Sequence, residues 1–370
     1  MPPRRANVAS REDQAVPPET TSNDTTTPTQ TIVLQSTGGR LWRLLFWAGW
    51  IAFVVAAVVV YGQYQLQQEY FNTTGGITEH FHSGATDGKQ KIAIIHITGV
   101  IADGDGYVKQ QIERIRADNS IRAVVLRINS PGGTVTGSDY MLHHLKKLRD
   151  ERGLPMVVSM GSMAASGGYY VAMAVGDQER SIFAEPTTTT GSIGVIIPHY
   201  DLSGLMARFD LKDDSIASHP RKQMLSMTRP IPEENRKLLE GYVNESFERF
   251  KSIVKEGRPA YRKDEDQLTD LATGEIFSAT RALDLGLVDQ IGFIEKAITR
   301  AAEIAQIAPD QTRVVYYDRP SFTLSDFAGL AQSRQASELE TLFELTTPRA
   351  YFLASSFPPL LSQRDLYREP

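Results

Sequence analysis

The sequence predicts an α/β protein with a largely parallel sheet, preceded by one transmembrane helix. Three observations carry this. From residue 91 to 318, short apolar runs alternate with stretches of helical period. Runs such as 91–97 (KIAIIHI) and 121–129 (IRAVVLRIN) are mostly apolar, as strands covered on both faces are. Residues 44–62 (LLFWAGWIAFVVAAVVVYG) form a stretch of nineteen without a charge, roughly the thickness of a hydrocarbon core.

Tryptophans 42, 47 and 50 and tyrosines 61 and 64 lie where interfacial anchors do. The apolar run begins far from the N-terminus for a signal peptide, and no A-x-A site follows it. Arg40 and Arg43 precede the span, and no Lys or Arg occurs in 63–69. The positive-inside rule then puts the N-terminus in the cytoplasm and the large domain on the outer face of the cytoplasmic membrane. Residues 1–43, rich in Thr, Pro and Ser, read as a disordered cytoplasmic tail, and 63–90 as a linker. Residues 91–318 form the main domain, and 319–370 a weakly ordered C-terminal tail.

Within the main domain, strands are expected at 91–97, 121–129, 155–160, 181–184, 193–197 and 312–317. Helices are expected at 107–117, 135–150, 164–175, 232–255 and from 291 to 305. The 370 residues carry 39 basic and 44 acidic side chains, a net charge of -5, so no basic surplus suggests nucleic acid as a partner. Cysteine is absent, which excludes disulfides, a thiol nucleophile and Cys-based zinc sites.

Two glycine-rich turns follow apolar strands: Asn129-Ser130-Pro131-Gly132-Gly133, and the stretch from Gly161 to Gly168 that contains Ser166. A strand, a tight turn and a helix start present free backbone N–H groups, which can hold an oxyanion or a phosphate. Neither turn has the spacing of a nucleotide-binding loop. The plainer reading is that the glycines only make turns and Ser166 caps a helix.

A serine nucleophile needs a base. Of seven histidines, only His199 and His219 lie downstream of Ser166. His80 and His82 fall in the linker, His96 in a core strand, and His143 and His144 on a helix face. A lysine can serve if burial and nearby positive charge bring its pKa from about 10.4 to about 7–8, an effect of roughly 3–4 kcal/mol. Residues 218–225 (SHPRKQML) hold both kinds of candidate, His219 and Lys222.

These stretches resemble the signal peptide peptidase A family, serine–lysine peptidases on a ClpP/crotonase-like fold of repeated β-β-α units. The resemblance runs from about 91 to 305. It rests on RINSPGG (127–133), SMAASGGYYVA (162–172), TGSIGVI (190–196), the Lys222 segment and ALDLGLVDQIG (282–292). Carried over, it implies Ser166 as nucleophile, Lys222 as general base and Ser192 as the residue that orients the lysine. The N–H groups of Gly133 and Gly167 correspond to the oxyanion hole. It implies a membrane-anchored endopeptidase that cleaves remnant signal peptides in their apolar segments without metal or organic cofactor. It also implies a homo-octameric dome that draws serine and lysine from neighbouring subunits. Two stretches depart from the family pattern: 176–180 is longer than usual, and His-Pro-Arg-Lys-Gln (219–223) replaces a Gly/Tyr-rich approach to the lysine.

Three rival readings are a Ser–His peptidase using His219 or His199, a crotonase-type acyl-CoA enzyme and a non-catalytic membrane scaffold. Residues 350–356 are small and apolar enough to resemble a substrate, so the tail is a candidate internal inhibitor.

Overall fold

A computed structural model describes residues 39–70, 74, 76–319 and 350–353. Of the tail expected over 1–43, residues 1–38 lie outside the described residues and 39–43 instead begin a helix; most of the C-terminal tail also lies outside the described residues. The chain divides into two units, 1–67 and 68–370. The first contains most of helix α1 (Gly39–Tyr70), whose segment Trp42–Tyr64 is 23 residues long and apolar enough to cross a bilayer.

In the second unit the chain runs β1 (Thr78–Gly84), β2 (Gln90–Thr98), α2 (Tyr107–Ala117), β3 (Ile121–Ser130), β4 (Gly132–Thr134) and α3 (Val135–Arg152). Next come β5 (Met156–Ala165), α4 (Gly167–Ala172), β6 (Ile182–Ala184), β7 (Thr189–Gly191), α5 (Ser203–Arg208) and α6 (Glu233–Gly257). The remainder is α7 (Glu265–Leu271), β8 (Ile276–Ser278), α8 (Ala279–Asp284), β9 (Gln290–Ile291), α9 (Ile294–Ile304), β10 (Thr312–Asp318) and β11 (Tyr351–Leu353).

Nine strands form one sheet in the order β1-β10-β2-β3-β5-β6-β9, with β7 on β5 and β8 on β7. The pairs from β10 through β9, and β5 with β7, are parallel. Only β1 on β10 and β8 on β7 run antiparallel in this sheet. A separate two-stranded ribbon joins β11 to β4.

Because side chains alternate along a strand, successive residues of each central strand enter different layers. Ile95, Leu126 and Val158 join the larger core cluster, which α2, α3, α4 and α6 cover. Ile94, Val125 and Val157 join a second cluster closed by Ala297 and Ala301 of α9. Both faces are thus dry, which is why the strands read as continuous apolar runs. Thr134 fixes the start of α3 by accepting the Gly137 N–H at 3.0 Å, and Gly153 ends it in the left-handed region at φ 59°.

Several boundaries differ from expectation. The linker expected at 63–90 contains β1, an edge strand with mostly polar side chains on β10. Strand β5 continues through the glycine-rich stretch as far as Ala165, and the helix after it starts only at Gly167. The strand expected at 193–197 is instead β7 at 189–191, where the Thr190 hydroxyl donates to the Ala164 carbonyl at 2.6 Å.

Candidate active site

Ser166 is the first residue after β5 and stands immediately before α4. Its N–H donates to the Gly191 carbonyl at 2.8 Å, and its own carbonyl accepts from the Tyr170 N–H at 2.8 Å. These bonds hold it at φ 53°, ψ -116°, a backbone that serine rarely adopts. Its side chain is buried, and Oγ has no hydrogen-bond partner among the described residues. Ala165 is in register with Gly191 across β5 and β7, so Ser192 leaves its strand beside Ser166. Ser192 repeats the positive φ, 53°, and its N–H donates to the Glu275 carbonyl at 2.7 Å.

The first glycine turn lies against this pair. Ser130 is in register with Ala164, and its hydroxyl donates to the Gly99 carbonyl while accepting the Gly132 N–H at 3.1 Å. Ile101 uses the Gly132 carbonyl and the Thr134 N–H, both at 2.8 Å. By strand alternation the Gly133 N–H faces the opposite edge of β4. A β-carbon on Gly167 would lie 3.1 Å from the Gly133 nitrogen, so the two expected oxyanion donors are neighbours.

On that free edge lies β11. Phe352 is in register with Gly133, and Val135 donates its N–H to the Ala350 carbonyl at 3.2 Å. On its other side Tyr351 accepts from the Ile196 N–H at 3.0 Å and donates to the Ile196 carbonyl at 2.9 Å. The C-terminal segment is therefore an extended peptide held by backbone on both edges. The Phe352 ring is fully buried, stacked on Tyr170 at 5.0 Å and tilted against Phe250 at 4.6 Å. The Tyr170 hydroxyl donates to Asp139 Oδ1 at 2.5 Å, and Arg249 donates to the same oxygen from Nη2 at 2.6 Å. Burial, reinforced by the bond to Asp139, pushes the Tyr170 hydroxyl well above its ordinary pKa, so it remains a proton donor.

None of the expected bases is hydrogen-bonded to Ser166 Oγ. Lys222 is exposed on a short 3₁₀ turn, Pro220–Gln223. His219 Nδ1 accepts from the Arg221 N–H at 3.1 Å, and His199 Nε2 lies 3.1 Å from the Ser226 carbonyl. The arm that carries all three is anchored within itself. Asp213 accepts from Ser215, Thr228 and Arg229, bonds that hold its carboxyl far below the usual range. No residue from 194 to 234 is buried. An open cavity of about 1610 Å³, lined by Arg127, Asn129, Ile197 and Leu225 among others, borders the arm. One chain thus brings together Ser166, Ser192, Gly133 and Gly167, while Lys222 is exposed and makes no hydrogen bond to Ser166 Oγ. Among the described residues, no group of three or more His, Asp or Glu side chains is gathered for a metal ion.

Comparison with known proteins identifies the class first: a peptidase on a mixed α/β sheet. The model for peptidase family S49 matches residues 148–308. A protein of Synechocystis sp., named for an inferred protease activity, is 33% identical over 71% of this chain and 95% of its own length. Protease 4 of Salmonella typhi is 33% identical over 62% of this chain and 37% of its own. The chloroplastic serine protease SPPA of Arabidopsis thaliana is 31% identical over 68% and 38%. The chain belongs to peptidase family S49 and is of the signal peptide peptidase A type.

Sequence reasoning did not single out Tyr170, Phe250 or Ile196 for the site. Tyr170 and Phe250 fall within expected helices (164–175 and 232–255), and 350–356 was expected only as a substrate-like segment of the tail.

Proposed function

We propose that this chain is a membrane-anchored serine endopeptidase in which Ser166 and Lys222 form the catalytic pair across two subunits. The observation that carries this is the buried, unpartnered Ser166 hydroxyl beside the amides of Gly133 and Gly167, at the edge of a groove that grips an extended peptide.

The neutral Lys222 amine takes the proton of Ser166 Oγ as that oxygen bonds to the scissile carbonyl carbon. The carbonyl oxygen becomes an oxyanion between the N–H groups of Gly133 and Gly167. Lys222 then gives its proton to the departing amine as the C–N bond breaks. The same amine then deprotonates a water, whose oxygen bonds to the acyl carbon; as the ester bond to Ser166 Oγ breaks, the Lys222 ammonium returns the proton to that oxygen. Ser192, one step past the Ala165–Gly191 register pair, orients the lysine.

The exposed Lys222 and the apolar arm around it favour assembly of copies. Leu205, Phe209, Leu211 and Ile216 are each more than half exposed, an unusual concentration for a finished surface. Docked on a second copy, the arm delivers the lysine to that copy's serine, and burial there favours the uncharged amine. A homo-octamer follows the family pattern. The helix Trp42–Tyr64 anchors the chain in the cytoplasmic membrane, N-terminus inside and peptidase domain on the outer face. Remnant signal peptides and similar apolar peptides are the substrate class.

Mass spectrometry of the full chain treated with a fluorophosphonate tests the reading: Ser166 alone is modified. Lys222→Ala lowers peptidase activity by about a thousandfold or more, whereas His219→Ala leaves it within a few-fold. Near-normal activity in Lys222→Ala overturns the assignment of the base, and a Ser166→Ala chain that still hydrolyses peptides overturns the nucleophile.

A further inference from the structure

Resting on the peptidase reading above, we infer that the side chain of Ser138 is a third donor to the oxyanion, beside the amides of Gly133 and Gly167. Its hydroxyl bonds to the substrate oxygen only while that oxygen carries the negative charge.

Two buried hydroxyls at this site stand apart from the others. Ser130 donates to the Gly99 carbonyl, Thr134 to Ala102, Thr188 to Gly161 and Thr190 to Ala164, each at 2.6 Å. Ser166 Oγ and Ser138 Oγ have no partner among the described residues, although Ser138 is fully buried. Burying a hydroxyl unpaired is costly, and an alanine in the same place would avoid the cost. For Ser166 the partner arrives with the reaction. The surroundings of Ser138 give it the same explanation.

Ser138 stands in the first turn of α3, and its hydroxyl faces the start of α4. The point that a Gly167 β-carbon would occupy is 2.5 Å from Ser138 Oγ and 3.1 Å from the Gly133 nitrogen. Only glycine at 167 leaves room for this approach. The hydroxyl oxygen and the amide nitrogen are at most about 5.6 Å apart, the two distances laid end to end. Two donors that close can share one acceptor at about 2.8 Å each. The N-terminal end of α3 adds positive potential there.

The acceptor is not a ground-state carbonyl. The Phe352 carbonyl oxygen lies 2.1 Å from the place of a Gly132 β-carbon, against the same turn, yet it makes no bond with Ser138. When Ser166 Oγ bonds to the scissile carbon, that carbon becomes tetrahedral and its oxygen leaves the former plane as it gains charge. Ser138 then donates a hydrogen bond and keeps its proton. The bond is given up as the C–N bond breaks and the ester carbonyl forms. A contact made only in the transition state raises kcat and leaves KM unchanged.

The test compares the full chain in detergent with its Ser138→Ala variant. The substrate is Leu-Leu-Leu-aminomethylcoumarin. Acetyl-Leu-Leu-leucinal and the matching alcohol are set to compete with fluorophosphonate labelling of Ser166. The aldehyde forms a tetrahedral adduct that carries the oxyanion, and the alcohol forms none. In Ser138→Ala, kcat should fall about 100-fold with KM within about twofold. Protection by the aldehyde should weaken by a similar factor, and protection by the alcohol by no more than about twofold. The Tm should hold or rise, because the lost hydroxyl had no partner. The aldehyde comparison needs no turnover, so it decides even if the tripeptide is not cleaved. Aldehyde protection within about threefold of the parent, equal losses for aldehyde and alcohol, or a Tm lower by more than about 3 °C overturns the role. A parent chain whose Ser166 takes no fluorophosphonate overturns the peptidase reading instead.

Discussion

Tyr351 and Ile196 exchange both of their backbone hydrogen bonds, at 2.9 and 3.0 Å, so the C-terminal segment is clasped between Ile196 and β4. A strand held this way competes with any peptide that needs the same edges. A chain ended at Thr347 should therefore hydrolyse a small peptide about tenfold faster at subsaturating substrate, because a tethered occupant acts at millimolar effective concentration. Steady-state rates of the two forms at equal labelled Ser166 decide it, and equal rates would show that the segment is structural.

Gly132 should tolerate no side chain. Its φ of 100° costs an L-residue about 1–2 kcal/mol, and a β-carbon would also meet the Phe352 carbonyl oxygen at 2.1 Å. Gly132→Ala should lower the Tm by several degrees and abolish fluorophosphonate labelling of Ser166. Calorimetry and mass spectrometry read the two effects separately.

Asp289 links three elements. It accepts the N–H groups of Ser181 and Ile182, each at 2.9 Å, and pairs with Arg258 at 2.8 Å. Both charged side chains are largely buried, so removing one strands the other. Asp289→Ala should destabilise the domain by about 3 kcal/mol, measured as the shift in urea midpoint. A change under about 0.5 kcal/mol would mean that the pair adds nothing net.

Acid should loosen the contact between α2 and β2. Burial disfavours the Asp118 carboxylate, but the Ser120 hydroxyl and amide and the Lys91 ammonium outweigh it and lower its pKa. Burial likewise works against the Lys91 ammonium, while Glu79 and Asp118 outweigh it and raise its pKa. The Asp118 contribution is complete above its unfolded pKa of about 3.9 and is lost as pH falls through the lower folded value. The Lys91 contribution is present below its unfolded pKa of about 10.4 and is lost above the raised one. Between pH 7 and pH 3 the urea midpoint should fall, and fall less steeply in Asp118→Asn. An identical fall in both proteins would rule out this carboxylate as a contributor.

Much of the frame was legible in the sequence. Helix α2 stands where Val108, Ile112 and Ile115 place it, because that face meets the core directly. The central strands were legible because burial on both faces makes them uniformly apolar. Strand β1 was not, since an edge strand with one partner can carry Thr, Glu and His. Strand β7 was hidden for another reason: the buried Thr190 satisfies its hydroxyl on the backbone. At the site, Ser166 was singled out by its glycine-rich turn after an apolar strand, whereas Ser192, Gly133 and Gly167 were named only through the family resemblance. The exposure of Lys222 depends on how an arm without buried residues is carried, which no local pattern encodes.

The left-handed backbone at Ser166 also restricts which side chains this position could hold. A second heavy atom on the β-carbon would collide with the chain at φ 53°, so threonine is barred whatever its reactivity. Cysteine, unbranched, could follow the same turn. The turn thus admits sulfur in place of oxygen more readily than it admits an added methyl group.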